Sequence, residues 1–345
     1  MKLVTGTDKG LLVYSKSAES WKLENIHFMG LPVGAFHQTQ TGNWWVAINH
    51  KHWGSKLYIS TDQGQTFDEH IAPAFDQDSP YTLHSIWTIA SHGEDLYLGT
   101  EPAALFKRIG NTFHEIKALS KHPSRPEWQG GGKGSKNPFL HSILFHPLDP
   151  EQLMVGISCA GVFKSLDGGQ SWSPSNKGLQ AFYLPKSTVE VGHDPHSIIR
   201  HPQTSNVLWQ QNHCGIYRSI DNGDTWQDVS DPKGLAYYGF DLVIDNKDID
   251  TAWVIPAESD DMRMPHKGQL VVYRTTDAGL SWHPLTKGLP QDAAFDLVLR
   301  DGFDKRGDVL AFGTNNGNLY LSHDRGEHWT CLSQSLSTIR SVHLI

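Results

Sequence analysis

The chain has 345 residues, a formal net charge of −8 and an isoelectric point near 6.2. This mild acidity, with no Lys/Arg run, excludes the basic stripe of a nucleic-acid-binding protein. No apolar stretch approaches the ~20 residues that cross a bilayer, so no membrane partner is expected. Three cysteines, Cys159, Cys214 and Cys331, do not make a disulfide framework and fit a reducing compartment.

The first residues, from Met1 to Thr7, read directly as a strand with no apolar leader, so a cytoplasmic protein is expected. Residues 2–23 predict three strands, with Trp21 near the end of the run. Short alternating β runs then recur, separated by Gly, Pro, Asn and Asp turns. They group into units near 32–71, 81–117, 138–175, 194–230, 238–285 and 293–332. Residues 337–345 predict one further strand, which completes a seventh unit with residues 2–23. Seven units in 345 residues are about 49 residues each, a length typical of such arrays.

One phrase punctuates these units five times. It runs from Ser60 through Asp62 and Gly64 to Phe67, and from Ser165 through Asp167 and Gly169 to Trp172. It returns at Ser219–Trp226, Thr275–Trp282 and Ser322–Trp329 as Ser/Thr-x-Asp-x-Gly-x-x-aromatic. The Asp accepts backbone N–H groups of a tight turn. The Gly takes a conformation that a Cβ opposes, and the aromatic packs back onto the sheet. These Asp residues are therefore structural. At Phe106–Phe113 the hairpin and aromatic persist without the Asp.

The phrase is an Asp-box, and the chain resembles the Asp-box, or BNR-repeat, β-propellers, which include sialidase-like, sortilin-like and xyloglucanase-like members. The resemblance implies an all-β, single seven-bladed β-propeller over residues 1–345, closed by strands from both termini. It implies boxes on one face and ligands on the other. It does not extend to sialidase chemistry, because the Arg-Ile-Pro phrase is missing and Arg218, Arg274 and Arg325 sit beside or in the boxes. Xyloglucanase-type propellers work as a tandem pair, and this chain has one. The photosystem assembly factor of this fold uses an Arg-rich patch that is absent here.

The face opposite the boxes draws an unusual set of residues. Three units open their innermost strand with the same dipeptide, His84-Ser85, His141-Ser142 and His196-Ser197, whereas two others carry Phe240-Asp241 and Phe295-Asp296. Imidazoles at equal height, joined by His213, suit a divalent transition metal such as Zn, Mn or Fe with an open position. A polar histidine lining, or a packing element copied with the repeat, are the alternatives. Glu101 and Glu258 are candidate acid/base groups, His213 a second base, and Arg263 a clamp for a substrate carboxylate. His50, His52, Trp53, Trp128 and Lys133 are candidate substrate contacts, the last two on a Gly-rich loop expected to form a flap. The expected activity is that of a metal-dependent hydrolase or lyase acting on a small-molecule or carbohydrate-derived substrate. A metal-free glycoside hydrolase using the carboxylates and a non-catalytic binding module are the alternatives.

Overall fold

The computed structural model describes residues 1–17, 20–131 and 135–345. Seven four-stranded antiparallel sheets make a seven-bladed β-propeller, with almost no helix. Among the described residues, no helix is long and apolar enough to cross a membrane. One blade takes its strands from both termini: Ile339–Leu344 pairs with Lys2–Thr7, which pairs with Gly10–Lys16 and then Trp21–His27. The register sets Leu3 opposite Leu344 and Thr5 opposite Val342.

The recurring phrase builds the same turn five times. Ser60 Oγ donates to Asp62 Oδ1 at 2.7 Å, and Ser60 Oγ accepts the Gly64 N–H at 2.8 Å. The Asp62 carboxylate accepts the Thr66 N–H at 2.9 Å. Equivalent bonds tie Ser219, Asp221, Gly223 and Thr225. At Gly64 φ is +84°, and a Cβ there would stand 2.2 Å from the Trp44 ring. The Thr66 hydroxyl, then its N–H and the Ser60 hydroxyl, hold the Asp62 carboxyl below the usual carboxylate range. The blade without the Asp turns differently, with Ile109 opposite Thr112 across Gly110 and Asn111. Two-residue turns of this kind favour a left-handed Gly, and φ at Gly110 is +61°.

The chain divides into two compact units. The first comprises Met1–Gly30, Lys177–Thr188 and His196–Ile345. Its largest core joins Trp253, Phe312, Tyr320 and Trp329, and a second gathers Trp209, Val254 and Trp282. The second unit comprises Leu31–Asn176 and Val189–Pro195. It packs Trp128, Leu140, Phe163 and Trp172 in one core and Trp45, Leu98 and Phe106 in another. The aromatics that end four copies of the recurring phrase, Trp172, Trp226, Trp282 and Trp329, are all buried.

The last blade departs from expectation. Phe295-Asp296 does not head its first strand, which runs Phe303–Arg306. Asp296 Oδ1 accepts instead from Thr314 Oγ1 at 2.7 Å and Asn318 Nδ2 at 2.8 Å, and Asn315 Oδ1 accepts the Leu297 N–H at 2.7 Å. Side chains thus satisfy this segment where a sheet ladder was expected.

Candidate functional site

In the first unit, His196 is 2% exposed on the strand Pro195–Arg200. Its Nδ1 hydrogen-bonds the Gly239 carbonyl at 2.6 Å, which makes Nδ1 the protonated nitrogen and Nε2 the basic one. One face of the ring stacks on Phe240, with centroids 4.8 Å apart and planes 11° from parallel. His213 approaches from the turn after Leu208–Asn212, its ring centroid 5.6 Å away. One ring nitrogen of each histidine lies within 4.8 Å of the other, a spacing that one ion can bridge.

Aromatic and ionic groups frame this pair. His213 meets Tyr183 edge-on at 5.0 Å and Tyr238 at 5.4 Å. The Tyr238 hydroxyl donates to Asp260 Oδ1 at 3.2 Å, and burial, then the Asp260 charge, pushes that phenol up. Arg263 Nε donates to Asp260 Oδ1 at 3.0 Å, and its Nη2 bonds the same oxygen. Burial raises the Asp260 carboxyl, but the Arg263 hydrogen bond and charge, with His213 and Tyr238, outweigh it and hold it low. The Arg263 and Arg300 guanidinium carbons each stand 5.4 Å from the Phe240 centroid.

Glu258 lies in the same unit. Its Oε2 accepts from His266 Nδ1 at 2.6 Å, so its partner is the end of its own loop.

The remaining sequence candidates lie in the second unit. His84 is half-exposed, with Nδ1 3.9 Å from Glu101 Oε1 and 3.4 Å from Asn137 Nδ2. Glu101 also accepts from Ser135 Oγ at 2.9 Å and Trp87 Nε1 at 3.2 Å. His141 is buried, hydrogen-bonded to Ser142 Oγ at 3.0 Å and edge-on to Phe139. The three copies of the His-Ser dipeptide therefore have three different surroundings. Trp53 is 67% exposed and stacks on His50 at 4.2 Å, with His52 edge-on at 6.0 Å. His50 Nδ1 accepts the His52 and Trp53 N–H groups, which fixes that turn. Trp128 is 7% exposed, donates to Ser124 Oγ at 3.0 Å and packs on Phe163. The expected flap residue is thus a core residue, because Arg125 and Ser124 fold its indole inward. Lys133 lies outside the described residues.

The sequence reading missed Tyr238, Tyr183 and Arg300 altogether. It noted Phe240 only as a position where histidine was replaced. The Tyr-Gly-Phe run at 238–240, directly facing His196, was the available signal.

No protein-family model matches this chain. No curated protein matches it either. Solved structures do. The GH74 enzyme of Niastella koreensis superposes with a TM-score of 0.58 at 14% identity, covering 98% of this chain and 65% of that one. The GH74 xyloglucanase of Xanthomonas campestris gives 0.57 at 18%, covering 87% and 45%. YCF48 of Cyanidioschyzon merolae gives 0.58 at 14%, covering 92% and 90%. The chain spans less than two thirds of the GH74 enzymes it matches. At these identities the likeness establishes the seven-bladed propeller fold alone.

Proposed function

We propose that this protein is a metal-dependent enzyme of the hydrolase or lyase class, working at the His196–His213 pair on a small polar, carboxylated or sugar-derived substrate. The observation that carries this reading is the pairing itself: two imidazoles with nitrogens within 4.8 Å of each other, one ring held through Nδ1 on a backbone carbonyl. Such an anchor is the usual support of a metal-ligating histidine, since it sets the tautomer and the ring orientation.

A bound Zn, Mn or Fe ion would supply a Lewis acid and a nucleophilic water at neutral pH. The protein's own groups do the rest. Phe240 and Gly239 hold His196 in place. Tyr238 and Asp260 fix Arg263, and Arg263 with Arg300 orients an anionic substrate group.

Elemental analysis of the purified, untagged protein before and after mild chelation tests this directly. A near-stoichiometric transition metal, lost in His196→Ala and His213→Ala, is the expected result. A protein that binds no added Zn, Mn or Fe, with alanine variants of unchanged function, overturns it.

A second reading is a metal-free glycoside hydrolase, the class of the GH74 enzymes that this chain resembles in fold, with Glu258 as its candidate acid/base. Glu258→Ala then abolishes turnover of a glycoside while His196→Ala does not.

A further inference from the structure

The first unit also holds a cavity of about 200 Å³, lined by Leu235, Pro256, His266, Lys267, Val271 and Tyr273 among others. None of the His196–His213 residues lines it. Its walls divide by chemistry. Leu235, Pro256 and Val271 are apolar, whereas His266, Lys267 and the Tyr273 hydroxyl offer donors.

The polar wall is fixed from behind. His266 Nδ1 donates to Glu258 Oε2 at 2.6 Å, which sets the ring's orientation and leaves Nε2 as its second polar atom. The loop that carries both residues is closed by the Glu258 N–H on the Met264 carbonyl at 2.8 Å and the Gln269 N–H on the His266 carbonyl at 3.0 Å. Lys267 sits between them at φ +53°, a backbone region that L side chains enter at a cost. No acidic partner of its ammonium occurs among the described residues. Glu258 is already engaged by His266, and the Asp231 charge bears on Tyr273. The unmatched positive charge of the cavity therefore lies at the Lys267 end.

We infer that this cavity binds a small monocarboxylate with an apolar tail. The carboxylate takes the Lys267 and His266 end, and the tail lies against Leu235, Pro256 and Val271. The volume is below the ~300–1,000 Å³ of drug-sized sites, which limits the ligand to a short chain or a single ring. The site is separate from the metal reading and stands without it.

Hexanoate and its neutral isostere hexanamide are suitable probes, titrated by calorimetry and by NMR on the full chain. Hexanoate is expected to saturate with a Kd on the order of 1 mM. Hexanamide and the Lys267→Gln variant are each expected to bind about tenfold more weakly, the scale of one lost charge-assisted contact. Lys267→Gly, which suits the left-handed backbone, removes the same charge without a folding penalty and is expected to match Lys267→Gln. His196→Ala should leave hexanoate binding intact. Equal affinity for acid and amide, no saturation by about 20 mM, or unchanged binding in both Lys267 variants overturns the inference.

Discussion

Replacing Phe240 with leucine probes whether the surroundings of His196 hold that ring in place. Phe240 is 3% exposed, and its ring has four partners besides ordinary packing. It stacks on His196 at 4.8 Å, meets Tyr238 edge-on at 5.4 Å, and carries Arg263 and Arg300 at 5.4 Å each. Leucine keeps the site apolar and leaves a modest void, but it has no quadrupole. An aromatic pair contributes about 0.5–1.5 kcal/mol beyond its area and a partly exposed cation–π contact about 0.5–1 kcal/mol. Two aromatic pairs and two cation–π contacts amount to about 2–5 kcal/mol, which lowers the thermal midpoint by about 3–7 °C in a chain of this size. Calorimetry reads the midpoint, and a zinc titration of the same samples reads the site. On the proposed metal reading, the loosened imidazole should cost about 10–100-fold in zinc affinity, as loss of a supporting contact does in other centres. A midpoint within about 1 °C of the parent would refute the energetic argument. An unchanged zinc affinity would refute the claim that Phe240 positions His196.

Two further outcomes follow from residues away from the site. Burial pushes His37 down to about 4, with Ser91 Oγ 2.8 Å from its Nε2. Its folded value lies below the unfolded one of about 6.5, so its stability contribution is complete above that pH and is lost as pH falls toward the folded value, by up to ~3 kcal/mol. His37→Gln should flatten this slope in unfolding curves taken across that range; a variant with the parent's slope removes His37 as its source. Asp221 accepts the Thr225 N–H at 2.9 Å, the Thr225 hydroxyl at 2.5 Å and the Ser219 hydroxyl at 2.7 Å. Asp221→Ala should cost about 1–3 kcal/mol, three modest hydrogen bonds partly replaced by water, and equilibrium denaturation that shows no loss would contradict the turn's assigned role.

The hairpins were legible in sequence because each residue of the recurring phrase has a local duty. Asp62, Gly64 and their counterparts bond within five residues, so no distant contact alters them. The histidines were legible only as residues. His84, His141 and His196 share a dipeptide, yet His84 meets Asn137 and Glu101 and His196 meets Gly239 and Phe240, all from other strands and loops, whereas His141 packs on Phe139 beside it in sequence. Irregular register adds to this. Pairing slips between Val33 and Ala35, Ile86 and Thr88, Leu140 and Ser142, and Gly239 and Leu242, at the start of four blades' first strands. A bulge re-aims side chains in a way that period-two reading does not anticipate. Trp128 fails for a related reason: the Gly-rich stretch after it suggested a loop on the surface, but the indole is bonded to Ser124 four residues upstream.

The blade shared by the two termini also sets an order of events during synthesis. In six blades every strand pairs with a neighbour close in sequence, so each can form as it leaves the ribosome. Lys2–Thr7 gains its second partner only from Ile339–Leu344, with Thr5 waiting for Val342. Until then it keeps an unpaired edge, open to capture by other chains. This contact spans nearly the whole sequence, and loop closure over that distance makes it the slow, late step of folding. The nascent protein is therefore most dependent on chaperone cover in the interval when six blades are built and the last strand has yet to emerge.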